Sequence, residues 1–579
     1  MRSDFLTPGF DRYIKAVPSR IVGIVQTHLG RRDAGASSLL VLIGVGLPVW
    51  MAAASGAIGL PTIDDWVYMQ GAESLLRNGS ITMTGHTAAA LGQLVLVQPL
   101  LWLSGGESWA FTAFGVIAAT LAITFTYLLA REFLGRVPSS FAVLLLIVFP
   151  GYQRETASFM TDVPAYMLTA LSLWLGTKWL RNQGRQTLVV GCLGVGILAV
   201  SIREFAIAAP LAVILSAWIR HDPKDRAWLT GLSICLIGAV AVALTVASGT
   251  NRVAPGPPQG SAPLSLAFLG GAFATLCVVL LPAIVLAARD RISRLTTGQF
   301  VAASATGFLI VFSPTGAIIG NYWTHNGIGS DLLLAGSRES LFGGRVWVLF
   351  EQLAIFSTVL LVAMVFGWAG RNLPRVGKTG TARIQAGRTV LSWHAPLPLF
   401  LMLHAAELAG YTLFGPILDR YLFPMIPVAA IVLLRGSINS FGLGRGLSLS
   451  HAAFGWLAVT AFALAANSFA YDAARWREGE AATLMGYDPQ TVDAGYEWVG
   501  FHATGTVGVR GADFILPWYY DAIPARAPCV VLSNSLLGES PLRLIRANSS
   551  AYRQYLFFGP EQPLYVYAAA TAGCPVGKP

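Results

Sequence analysis

Charge is what this chain has least of. Only 12% of its 579 residues are Asp, Glu, Lys or Arg, about half the share of an ordinary soluble domain. With 54% hydrophobic residues and a mean hydropathy of +0.60, that excludes a soluble globular protein. A cleavable leader pattern is also missing. Residues 1–37 are polar and basic, with Arg2, Arg12, Lys15, Arg20, Arg31 and Arg32, and no short apolar region with a small-residue cleavage site follows them. No internal repeat is visible, which weighs against a transporter built from inverted repeats. Cysteine is scarce, five residues in all. Cys192, Cys235 and Cys277 fall in apolar segments, where a thiol acts as a small apolar side chain. Cys529 and Cys574 fall near the C-terminus, where an oxidising compartment permits a disulfide.

Long apolar runs are abundant instead. They recur from residue 38 to about residue 470, most of them near the ~20 residues that cross a ~30 Å hydrocarbon core as a helix. Irregular backbone cannot face lipid, so the runs must be helices. We place spans at 38–60, 109–130, 138–150, 164–180, 187–202, 205–219, 228–248, 265–288, 298–319, 346–368, 395–416, 422–434 and 451–470. The fold class expected is an all-α polytopic membrane protein of about thirteen transmembrane helices. Lys and Arg divide unequally across these spans: 24 on the N-terminal side, 7 on the opposite loops and 8 after residue 470. By the positive-inside rule the N-terminus is cytoplasmic, and the net charge of +10 reflects topology rather than a nucleic-acid footprint. The expected location is a bacterial plasma membrane, with multiple crossings.

Beyond residue 470 the pattern changes. Residues 471–579 mix polarities, with β-favouring runs at Pro528–Ser533 and Gln562–Tyr567 broken by Gly500, Gly511, Pro524 and Gly559. We expect a small C-terminal α/β domain outside the cytoplasm. The domain plan is therefore a cytoplasmic 1–37, a membrane domain 38–470 and an extracytoplasmic 471–579. Three outer loops punctuate the membrane domain: 61–108, 151–163 and 320–345. In the first, the apolar piece Leu91–Leu103 is interrupted by Gln93, Gln98 and Pro99 and is read as interfacial. The last, with Tyr322, Trp323, His325, Asp331 and Arg338, has the length of a lid.

Charges on the outer side are few enough to weigh singly. Asp64 and Asp65 follow the first span. Arg154, Glu155 and Asp162 precede the fourth, Arg203 and Glu204 occupy the next outer turn, and Asp419, Arg420 and Tyr421 precede the twelfth. Carboxylates remove protons or bind cations, and arginines grip phosphate in two places at once. Each group also has a plainer reading. Thr62-Ile-Asp-Asp65 matches a capping box with Thr62 as the N-cap, and Asp162 before Pro164 matches a helix start. Arg203 and Arg420 have their neighbours Glu204 and Asp419 as ion-pair partners. Glu351, His404 and Glu407 fall within spans, where ionisable groups are expensive, and the last two share a helix face. His86 and His325 are read as loop histidines.

In this order and sidedness the motifs resemble those of the GT-C membrane glycosyltransferases, with bacterial protein O-mannosyltransferase relatives and the lipid A aminoarabinose transferase as the nearest kin. Asp64-Asp-Trp-Val-Tyr68 is similar to the acidic motif of the first outer loop, Phe159-Met-Thr-Asp-Val-Pro164 to the second acidic motif, and Asp419-Arg-Tyr421 to a late outer-face Arg motif. The resemblance implies transfer of a sugar from a polyprenyl-phosphate donor to an acceptor hydroxyl on a lipid, glycan or protein. It implies Asp64 or Asp65 as general base, Asp162 in support, and Arg420 and Arg203 on the donor phosphate. Trp66, Tyr68, Glu204 and Tyr421 are candidate substrate contacts. Both acids of the first motif are Asp where the second is often Glu, so the base is not assigned between them. A divalent cation is optional, and no ligand set stands out. Two other classes compete: a flippase of polyprenyl-linked sugars, and an oligosaccharide polymerase or ligase relying on outer-loop arginines.

Overall fold

The computed structural model describes residues 31–83, 90–182, 186–220, 223–250, 266–292, 296–311, 323, 344–372, 395–413, 417–435, 445–503, 519–523, 525–534, 536, 542–555, 558–568 and 574. His86, Tyr322, His325, Asp331 and Arg338 lie outside them.

Among the described residues, each apolar run expected to cross the membrane overlaps a helix. In chain order, and with the short loop helices between them, these are α1 (Arg32–Ser55), α2 (Asp65–Asn78), α3 (Leu91–Leu96), α4 (Gln98–Ser104), α5 (Trp109–Phe133), α6 (Arg136–Ile147), α7 (Pro150–Glu155), α8 (Asp162–Arg181), α9 (Gln186–Val200) and α10 (Ala208–Arg220). There follow α11 (Pro223–Thr250), α12 (Leu266–Ile292), α13 (Thr297–Val311), α14 (Gly344–Asn372), α15 (Pro396–Tyr411), α16 (Met425–Arg435) and α17 (Arg445–Leu484). Five of these helices contain segments long and apolar enough by themselves to cross a membrane: Arg32–Ser55, Trp109–Phe133, Phe268–Ala288, Arg345–Phe366 and Ser448–Leu484. Residues 187–219, which straddle two expected spans, form the separate helices α9 and α10, joined by a 3-10 turn at Glu204–Ile207. Leu91–Leu103 forms the two short helices α3 and α4, and the Gln98 amide donates to the Ala72 carbonyl of α2 at 3.1 Å. Neither approaches the ~20 residues of a crossing.

The central helices pack closely where side chains are small. Gly115 of α5 lies against the backbone of Ser158, so α5 and the turn before α8 meet without a side chain between them. Charges collect at the two ends of the bundle. At one end Asp33 pairs with Arg131 at 3.3 Å and Arg136 at 3.0 Å, and Glu132 pairs with Arg181 at 3.0 Å. The acidic turn, Asp162, Arg203, Arg420 and the C-terminal residues gather at the other.

The C-terminal unit is mounted on the last helix. With 40 residues, α17 extends ~60 Å at 1.5 Å per residue, about twice a hydrocarbon core. It continues past residue 470 without a break, and its last turns carry the sheet. The strands β1 (Val492–Asp493), β2 (Val530–Ser533), β3 (Arg543–Arg553) and β4 (Glu561–Ala568) lie in the order β1-β2-β4-β3. The β1/β2 pair is parallel and the other two are antiparallel. The two expected strand runs became β2 and β4. Tyr471 and Ala474 of α17 pack with Val530, Leu532, Leu564 and Val566 beneath the sheet. Cys529 and Cys574 are disulfide-bonded, with Cα atoms 5.4 Å apart. Between β1 and β2 stand α18 (Tyr496–His502) and α19 (Tyr519–Ala522).

The two units meet where the Trp66 indole of α2 lies flat against Gly500 of α18, leaving no room for a Cβ. Gly500→Ala is expected to destabilise the protein by ~1–3 kcal/mol, the usual range for overpacking. Gly455→Ala on α17, with nothing within 4 Å of the new carbon, should be near neutral. Thermal unfolding of both variants in detergent checks the contrast, and equal melting points would contradict this interface.

Candidate functional site

The chain leaves α1 through Gly56, at φ 81°, and turns again at Ile63, which holds φ 52°. This strained turn presents the two acids differently. Asp65 is fully buried. Its Oδ2 accepts from the Thr62 backbone N–H at 3.3 Å, the Thr62 hydroxyl at 3.0 Å and the Phe159 N–H at 3.0 Å. The expected capping box is therefore half formed. The carboxylate reaches back to the Thr62 N–H, but the Thr62 hydroxyl goes to that carboxylate rather than to the helix, and Asp64 occupies the N-cap. Burial pushes the Asp65 carboxyl up to about 7, against the pull of its hydrogen bonds.

Asp64 keeps a side chain 21% exposed. The Tyr496 hydroxyl donates to its Oδ1 at 2.9 Å, and Arg420 Nη2 lies 3.5 Å from its Oδ2. One acid of the pair is buried and fixed by three donors. The other is reachable and held between a phenol and a guanidinium.

Each arginine reaches a carboxylate from across the bundle. Arg203 reaches Asp162 at 2.8 Å with both groups buried, and Glu204 is exposed. Arg420 reaches Asp64. Its neighbour Asp419 instead accepts the Trp323 N–H at 2.7 Å. Helix ends from across the bundle converge here. Burial works against the charge on Arg203, and the Asp162 carboxylate together with Tyr68 and Tyr421 outweighs it and pushes the guanidinium pKa up. The Tyr421 ring lies between the two arginines, 5.6 Å from each guanidinium, and its hydroxyl is 3.4 Å from that of Tyr411.

The remaining sequence candidates sort clearly. Tyr68 is buried near Arg203 and Thr161, and burial pushes its phenol up. Trp66 has no exposed surface and serves the junction with α18, not the surface of the site. Asp162 opens α8, as its place before Pro164 implied. His404 and Glu407 pair at 3.5 Å, and His404 Nε2 donates to the Tyr421 carbonyl at 2.9 Å, which fixes the arginine turn from below. Glu351 is exposed on α14. Among the described residues no three His, Cys, Asp or Glu side chains converge as metal ligands.

Four residues that sequence reasoning passed over complete the site. Arg475 on α17 is fully buried and bonds Asp472 at 3.0 Å and Glu497 at 2.6 Å. Arg154 holds the other oxygen of Asp472 at 2.8 Å. Glu497 accepts the Ile63 N–H at 2.9 Å, and Tyr496 beside it reaches Asp64. The sequence did carry one signal: Asp472 and Arg475 stand i, i+3 at the end of an apolar helix, a spacing that faces them together.

The Asp65 carboxyl gives this arrangement a pH signature. Its folded pKa lies above its unfolded value of 3.8, so between those values the folded protein keeps a proton that the unfolded chain has released. Stability then falls as pH rises from about 4 to about 7 and stays low above, by about 4 kcal/mol at most. Asp65→Asn should remove that fall. Melting curves at pH 5 and pH 8 are expected to show wild type losing ground to the variant at the higher pH, and a constant gap would contradict the burial of an ionisable Asp65.

Residues 94–250 match the Dolichyl-phosphate-mannose-protein mannosyltransferase family, a stretch that includes Phe159, Asp162 and Arg203. No curated protein sequence matches the chain. Among solved structures the chain is similar to ArnT from Cupriavidus metallidurans, in the apo state and bound to undecaprenyl phosphate. The identities are 12% and 11%, with TM-scores of 0.35 and 0.36, covering 92% of this chain and 98% and 97% of those. It is also similar to the archaeal oligosaccharyltransferase AglB from Archaeoglobus fulgidus, solved with an inhibitory peptide and a dolichol-phosphate. There the identity is 15% and the TM-score 0.34, over 76% of this chain and 59% of that one. The family match, confined to residues 94–250, makes that part of the chain similar to the protein mannosyltransferases.

Proposed function

We propose that the protein transfers a sugar from a polyprenyl-phosphate donor to an acceptor hydroxyl by single displacement, with Asp64 as the general base. The observation that carries this reading is the position of Asp64. Of the two adjacent acids it is the exposed one, and it faces Arg420 within a site that also holds Arg203. The matched family is named for a dolichyl-phosphate-linked sugar, a donor whose leaving group is a lipid phosphate.

The acceptor O–H gives its proton to the Asp64 carboxylate while its oxygen bonds to the anomeric carbon. The bond from that carbon to the phosphate oxygen breaks, and its electron pair leaves with the lipid phosphate. Charge grows on that phosphate, and Arg420 and Arg203 stabilise it. Arg420 can serve both states, since a bound phosphate competes with Asp64 for its guanidinium and frees the carboxylate to act as base. Asp162 holds Arg203 in place, and Asp65 fixes the turn that carries Asp64. The lipid tail requires a membrane setting: thirteen crossings, a cytoplasmic N-terminus, and the site and the C-terminal domain on the extracytoplasmic face. The asymmetric distribution of Lys and Arg supports this orientation.

Purified protein offered labelled polyprenyl-phosphate sugars and a panel of acceptors tests the proposal. Asp64→Asn is expected to lower kcat by ~10²–10⁴-fold, the usual worth of a positioned general base. Arg420→Ala should lower it by ~10²–10³-fold through loss of charge stabilisation. Wild-type transfer by a folded Asp64→Asn protein would overturn the reading. Movement of intact lipid-linked sugar across liposomes without donor consumption would favour a flippase.

A further inference from the structure

The C-terminal domain contributes side chains to the site. Two consecutive residues at the start of α18, Tyr496 and Glu497, reach across more than 400 positions of sequence to the acidic turn. Tyr496 donates to Asp64 Oδ1 at 2.9 Å. Glu497 accepts the N–H of Ile63, the residue before Asp64, at 2.9 Å. Each is anchored independently. The Tyr496 ring stands edge-on to Trp66 and Tyr519, with centroids 5.9 Å from each. Glu497 is buried against Arg475 at 2.6 Å, and Arg475 joins Asp472 and through it Arg154 of α7.

We propose that Tyr496 is a positioning residue for the general base: its hydroxyl orients the Asp64 carboxylate, so the C-terminal domain is an integral part of the active site. This rests on the reading of Asp64 as the base.

A carboxylate has two oxygens, and a base is efficient only when one of them points at the proton it takes. In this site Oδ1 is occupied by the phenol, which leaves Oδ2, on the Arg420 side, for the acceptor. The Tyr496 O–H has only donation to offer a carboxylate, and donation stabilises the charged form. Burial and the nearby Asp64 charge push the Tyr496 phenol well above its ordinary range, so it stays a donor at working pH. The other groups facing Asp64 are Arg420, Asp65 and Tyr68. Glu497 acts one step further back. With Ile63 held at positive φ, a strained conformation for a β-branched residue, its N–H needs a fixed acceptor.

The test uses the full-length protein in detergent or nanodiscs, with a polyprenyl-phosphate sugar as donor. Tyr496→Phe keeps the ring packing and removes only the hydroxyl. It should lower kcat about tenfold, as loss of one hydrogen bond to a charged group implies. It should also move the acid limb of the kcat/KM–pH profile up by about one unit, with the KM for donor little changed. Replacing Tyr496 with 3-fluorotyrosine, a stronger donor of nearly the same shape, should move that limb down, and this variant serves if the Phe protein does not fold. A structural role alone would lower stability and activity together and leave the limb where it is. The inference is overturned if Asp64→Asn is inactive while neither Tyr496 substitution moves the limb. If Asp64→Asn retains full activity, the general-base reading fails first, and the two failures are thereby distinguished.

Discussion

A buried run of alternating charges, Arg154–Asp472–Arg475–Glu497, is the interaction on which the geometry of this molecule depends. It passes from the bundle loop at α7, through the extramembrane end of α17, into α18, and ends on the backbone N–H of Ile63. Burying four charges is expensive, and such networks are weak evidence for stability. What they do enforce is register, because a misplaced member leaves an uncompensated charge out of water, a penalty of ~3–5 kcal/mol when one partner is lost. Here the register is that of a C-terminal domain against a membrane bundle. Without it Tyr496 has no reason to meet Asp64.

The divergent fates of Asp64 and Asp65 follow from that fastening. Two adjacent carboxylates in one turn repel, and a protein can keep both only if their surroundings differ. Asp65 is withdrawn under Phe159 and fixed by three donors, at the expense of a raised pKa. Asp64 is left at the edge, where a phenol and a guanidinium share its two oxygens. The buried acid sets the position and the exposed one is available for chemistry. The arginines follow the same logic across the bundle. Asp162 holds Arg203 by a buried pair, while Arg420 faces the partly exposed acid and can be drawn to an incoming anion.

Much of this was legible in the sequence. Apolar run length placed the helices, the alternation of basic loops gathered the right charges at one end, and β-favouring runs marked β2 and β4. Pro164 marked the start of α8, and the i, i+3 spacing of His404 and Glu407 foretold their contact. The pairings were not legible. In sequence Arg203 and Arg420 stand beside Glu204 and Asp419, yet the folded chain brings them to Asp162 and Asp64, from separate helix ends. The contacts of Tyr496 and Glu497 with the acidic turn span more than 400 residues, and no local pattern encodes such a separation. Residue 470 looked like a boundary because composition changes there, yet α17 runs through it and carries the C-terminal sheet. Trp66, beside the acids, looked like a substrate contact and instead packs on Gly500.

The central claim is that Asp64 activates the acceptor for one direct displacement at the anomeric carbon. The anomeric configuration of the product tests it most directly. A donor of defined configuration, turned over by the purified protein and read by NMR of the glycosylated acceptor, is predicted to give the inverted anomer. A retained anomer would require a covalent or doubly displaced path, and would contradict the account.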